Sequence, residues 1–78
     1  MQRSERPQPA LGKAIRELRE RRGMTQAALA EKAGLTGRTV SAIETGRANP
    51  TWATIGDIAA ALGASMVEIA RAAQRRGT

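Results

Sequence analysis

Apolar residues recur along this chain at helical spacing, in five short runs separated by glycine or by a proline-containing loop. Leu11, Ala14, Ile15, Leu18 and Arg22 fall on one face of a helix that opens at Pro9 or Ala10 and stops at Gly23. Met24 packs inward, and Thr25 is placed to cap a second helix over Gln26–Ala33, with Leu29, Ala30 and Ala33 on its inner side. Gly34 follows directly, as a helix that must stop and turn requires. Thr36 offers the next cap, for a helix running to about Thr45. Its buried stripe is Val40 and Ile43, with Leu35 packing from the turn, and Gly46 ends it. Thr51 caps a fourth helix, Trp52–Leu62, whose expected inner face is Trp52, Ile55, Ile58, Ala59 and Leu62. Beyond Gly63, Ser65 and Glu68 have the spacing of a capping box for a fifth helix, from Met66 to about Gln74. Met66, Ile69 and Ala70 are expected to face inward, and Arg71, Arg75 and Arg76 suit its C-terminal end. The predicted fold is an all-α, compact five-helix bundle.

These runs occupy residues 9–74 and form one domain, as a chain of 78 residues leads one to expect. Residues 1–8, polar and broken by Pro7, are expected to be a flexible N-terminal arm, and residues 75–78 a frayed end. Gly12 lies inside the first helix, where glycine costs about 1 kcal/mol relative to alanine. It marks either a close approach of another backbone or a tolerated weakness.

The chain contains neither cysteine nor histidine. Disulfides, thiolate metal sites and histidine-based acid–base chemistry are therefore excluded, and no paired carboxylates stand in for them. No catalytic residue, metal site or cofactor is expected. No apolar run approaches the ~20 residues of a membrane span. The N-terminus lacks the apolar core of a signal peptide. A cytoplasmic protein is the expectation, associated with the nucleoid if it binds DNA.

Net charge changes the picture further. Thirteen Lys+Arg against seven Asp+Glu give +6 and an isoelectric point near 11.6, with +4 of the excess in residues 1–22. A small basic domain favours polyanionic partners. The helix pair 25–46 gives that preference a form. Ala30 and Gly34 are small where its two helices are expected to approach closely. Outside its stripe, the second helix carries Gly37, Arg38, Thr39, Ser41, Ala42 and Thr45, which are short or long and cationic. Such a surface suits the DNA major groove, with the helix N-terminus at the base edges.

The segment TQAALAEKAGLTGRTVSAIETGRANPT resembles the helix-turn-helix of the Cro/C1 (XRE) family of bacterial and phage regulators. Thr25-Gln26, Leu29-Ala30, Gly34, Val40-Ser41, Ile43-Glu44, Gly46 and Pro50 carry the resemblance, which extends from about Leu11 to Ile69. It implies a bundle of the lambda-repressor-like DNA-binding type and a sequence-specific, double-stranded DNA-binding transcriptional regulator, a repressor or controller protein. It also assigns roles. Gly37, Arg38, Ser41 and Ala42 would face bases, and Gln26 would hold a backbone phosphate. Thr36, Thr39, Arg47 and Asn49 are further phosphate candidates. Arg19, late in the first helix, would pair with Glu44 near the end of the third. Gly37 departs from the polar residue usual at its position, so one reading side chain is missing. Arg3 and Arg6 would let the arm reach around DNA, as some family arms do; otherwise it is a plain frayed end.

One recognition helix reads only a few base pairs, so a homodimer on two half-sites is expected. With the first three helices committed, its surface falls on the last two, around Met66, Val67 and Ala70. An antitoxin with a toxin partner, or a protein-interaction module on the same fold, are the competing readings. A protein-binding third helix would show apolar or aromatic anchors, and this one shows Arg38, Ser41 and Thr45.

Overall fold

A computed structural model describes residues 9–77, with side chains through Arg75; the arm at residues 1–8 and Thr78 lie outside the described residues. Five helices follow in order: α1 (Pro9–Arg21), α2 (Gln26–Ala33), α3 (Gly37–Glu44), α4 (Trp52–Leu62) and α5 (Met66–Gly77). The last continues past the expected end at Gln74.

Local chemistry sets the boundaries. The hydroxyls of Thr25, Thr36 and Thr51 each accept the backbone N–H three residues on, at 3.0, 3.1 and 3.0 Å. At α5 the capping box closes: Glu68 N–H donates to Ser65 Oγ at 3.0 Å, and Ser65 N–H reaches Glu68 Oε1 at 3.4 Å. At the other ends of α2 and α4, Gly34 (φ 73°) and Gly63 (φ 69°) take the left-handed conformation. The small size of Gly34 does not serve a close helix approach as expected. A Cβ there would meet nothing within 4 Å, so the residue is glycine for its dihedral alone.

The core is shared evenly. The largest fully buried side chains are Ile15, Leu29, Val40, Ile58 and Ile69, one from each helix. Each contributes about 1.5–3 kcal/mol by leaving water. α1 lies between α3 and α5, while α2 packs on α3 and α4. Leu11, Met24, Leu35, Ile55 and Met66 close the margins of this core. Gly12 belongs to it for a steric reason. A Cβ at this position would collide with the carbonyl oxygen of Ile43 and stand 2.8 Å from that of Glu44. Backbone of α3 therefore rests directly on α1.

Three expected inward positions are corrected. Trp52 is 74% exposed: it begins α4, and the residues of that helix that enter the core are Ile58, Ala59 and Leu62, with Ile55 at its margin. Ala70 is exposed and Ala72 buried, so the inner stripe of α5 runs through Ile69 and Ala72. Arg22 stands at the surface after α1 ends, with Nη2 3.7 Å from Glu68 Oε2.

Candidate nucleic-acid interface

Residues of α2, α3 and the loop after α3 make up the candidate site. Val40 and Ile43 anchor α3 to the core, 1% and 3% exposed, so the opposite side of this two-turn helix faces outward. Gly37 and Arg38 are exposed at its N-terminal end, and Ser41 and Ala42 are half-buried one turn further along.

The cap at Thr36 affects the phosphate candidates. Its hydroxyl accepts Thr39 N–H and donates to Thr39 Oγ1 at 3.0 Å. The Thr36 hydroxyl proton is thus engaged, and the Thr39 hydroxyl keeps its own proton to donate. At the other end of α3, Thr45 Oγ1 donates to the Ser41 carbonyl at 2.8 Å and accepts Arg47 Nε–H at 3.0 Å. Exposed Arg47 is thereby held against the end of α3, with the donors of its terminal nitrogens remaining. Asn49 is exposed in the loop that follows.

Behind this surface lies a buried charge. Glu44 on α3 has a side chain only 1% exposed, and Arg19 on α1 meets it through two nitrogens, Nε to Oε2 at 2.7 Å and Nη2 to Oε1 at 3.1 Å. The two-point fork fixes both planes relative to one another. Arg19 Nη1 also donates to the Met24 carbonyl at 2.7 Å, tying down the turn between α1 and α2. The hydrogen bond to Glu44 raises the arginine's pKa above its ordinary value, outweighing the opposing effect of burial. A pKa raised on folding stabilises fully below the unfolded-state value and loses effect only as pH passes the folded one. Arg19 is therefore fully charged throughout the neutral range.

One partner was not foreseen. Gln26, half-buried at the first position of α2, donates through Nε2 to Glu44 Oε1 at 3.0 Å. The proposed phosphate holder is thus bonded to the ion pair behind α3. The eighteen-residue separation leaves no local spacing that signals such a bond.

Among the described residues, no cluster of three or more His, Cys, Asp or Glu side chains forms a metal site, and no single helix is long and apolar enough to cross a membrane. On α5, Val67 is 59% exposed beside half-buried Met66 and exposed Ala70.

Comparison with known proteins gives the architecture its relatives. The helix-turn-helix domain family matches residues 10–72. A protein of Methanothermobacter thermautotrophicus, described as an uncharacterised HTH-type transcriptional regulator, is 44% identical over 54 residues, covering 69% of this chain and 78% of that protein. Among solved structures, the restriction–modification controller protein C.AhdI of Aeromonas hydrophila is 33% identical with a TM-score of 0.77, over 78% of this chain and 92% of its own. The clp gene regulator ClgR of Corynebacterium glutamicum is 31% identical with a TM-score of 0.84, over 87% and 88%. The chain belongs to the helix-turn-helix domain family, of the Cro/C1 (XRE) type, and is a DNA-binding transcriptional regulator.

Proposed function

We propose that the protein binds a specific operator in double-stranded DNA by placing α3 in the major groove, and that it acts there as a repressor or controller protein without enzymatic activity. One observation carries this reading: the outward side of α3 presents Gly37, Arg38, Ser41 and Ala42 and no large apolar anchor, while its inward side is locked to α1 through Glu44. Arg38 is the base reader, because a guanidinium bonds guanine O6 and N7 together. Ser41 supplies a second hydrogen bond, Ala42 a contact to a thymine methyl, and Gly37 backbone alone. Gln26, Thr39, Arg47 and Asn49 hold phosphates and set the register, and Thr36 joins them by turning its hydroxyl proton from Thr39 to the phosphate. The working unit is the domain over residues 9–74 in the cytoplasm, with the arm before it.

The test compares alanine variants on the operator and its single-base variants at several salt concentrations. Arg38→Ala removes about 1–3 kcal/mol of discrimination, so correct and altered sites converge at the base it reads. Gln26→Ala weakens all sites by a similar factor and leaves the salt slope in place, because no cation is lost. Arg47→Ala flattens the slope of log affinity against log salt by about one unit. Unchanged preference among sites in Arg38→Ala overturns the groove assignment. Failure to bind any duplex at low salt gives the interaction-module reading the lead.

Two half-sites about 34 Å apart call for two copies of the chain. The exposed Val67, with Met66 and Ala70, supports a homodimer across α5. Sedimentation should show self-association at micromolar concentration. A strictly monomeric species that binds its operator as a monomer removes the dimer.

A further inference from the structure

We infer that Glu44 is a positioning residue for DNA binding, which orients the Gln26 amide from inside the protein; this rests on the reading of Gln26 as a phosphate contact. Three donors converge on the Glu44 carboxylate. Arg19 supplies Nε at 2.7 Å and Nη2 at 3.1 Å, and Gln26 supplies Nε2 at 3.0 Å. Arg19 is itself fixed by the Met24 carbonyl at 2.7 Å. The carboxylate plane is therefore set before DNA arrives, and with it the place of the Gln26 nitrogen.

A primary amide has two N–H groups. One goes to Glu44, and the second is left for an acceptor outside the protein. A glutamine free in solution has its side-chain torsions to order when it grips a phosphate, and that ordering opposes binding. Here Glu44 has ordered them already. A bare carboxylate so close to a phosphate would repel it, and the fork of Arg19 cancels that charge. The approaching phosphate meets a neutral, oriented donor. Because Glu44 belongs to α3, the same carboxylate joins the phosphate grip on α2 to the helix that reads bases.

Glu44→Gln separates positioning from mere support. An amide that keeps the shorter bond, from Arg19 Nε at 2.7 Å, puts its NH2 at the place of Oε1, where Arg19 Nη2 and Gln26 now donate, so Gln26 has to rotate and its outward N–H is lost. At a temperature where circular dichroism shows every variant folded, Glu44→Gln should weaken operator binding about tenfold, the scale of one hydrogen bond to a charged group. Gln26→Ala should weaken it to a similar degree. The double variant should be no weaker than Gln26→Ala alone, and the ratio between correct and altered sites should persist. Losses that multiply in the double variant overturn the inference, because a purely structural role for Glu44 acts independently of Gln26. If Glu44→Gln does not fold, the wild-type chain decides by NMR. Expected is a Gln26 side-chain amide with one slowly exchanging proton and a single rotamer in free protein; averaged couplings and fast exchange overturn the inference. If Gln26→Ala binds as tightly as wild type while Arg38→Ala loses discrimination, the positioning role fails and the DNA reading stands. If wild type binds no duplex at low salt, both fail.

Discussion

Two ion pairs leave the end of α1 in different directions. Arg22 reaches Glu68 of α5 at 3.7 Å, with side chains 32% and 52% exposed. Arg19 reaches Glu44 of α3 at 2.7 Å, with side chains 10% and 1% exposed. The residue types are the same, but the surroundings give them different work. In water the first pair is screened and gains little over two hydrated ions. The second has lost its hydration and depends on its partner. The interface with α5 is held by apolar side chains such as Ile69 and Ala72, whereas α3 rests on α1 by backbone contact at Gly12 and by a charged fork. Apolar packing tolerates small slides between helices. A bidentate pair fixes an angle, which the helix proposed to read bases needs.

The sharpest way to break this comparison is Glu44→Ala. It leaves Arg19 buried with only the exposed Glu20 carboxylate, 4.0 Å from Nη2, as counter-charge, and should cost about 3 kcal/mol. The thermal midpoint should then fall by more than ten degrees, at about 4–8 °C per kcal/mol for a domain of this size. An unchanged midpoint in calorimetry would show that the pair is no more than a surface contact. Gly12→Ala comes next. Alanine gains about 1 kcal/mol of helix propensity, but its Cβ meets two carbonyl groups of α3. Backbone cannot step aside as a side-chain tip does, so overpacking wins with a net loss of about 1–3 kcal/mol in urea titration. A stabilised Gly12→Ala protein would mean that α1 and α3 are not in backbone contact in solution. The smallest effect belongs to Arg22→Ala, under about 1 kcal/mol. A loss there equal to that of Glu44→Ala would erase the distinction between the two pairs.

Features that depend on residues a few positions apart were legible in the sequence. Thr25, Thr36, Thr51 and Ser65 cap through bonds three residues long, and Gly34, Gly46 and Gly63 adopt positive φ at the helix ends where they were expected. The stripe on α3 was legible too, since Val40 and Ile43 have no apolar competitor larger than Ala42 on that helix. Trp52 misled because periodicity fixes an angle around the axis and says nothing of how far the neighbouring helices extend along it. Ala70 misled because alanine is small enough for either side, and only packing distinguishes it from Ala72. The proposed base-facing positions came from resemblance and local spacing, whereas the bond from Gln26 to Glu44 exists only once α2 and α3 are folded together.

Gly37 occupies the first position of α3 with nothing within 4 Å of where a Cβ would stand, and its φ is not positive. Many side chains can be introduced there without disturbing the core or straining the backbone. On the proposed docking, mutation at this single codon can add a reading contact while the fold keeps its stability. Divergent copies of the gene can thus acquire new operators stepwise, and a designer can search a full set of substitutions at residue 37 without first stabilising the scaffold.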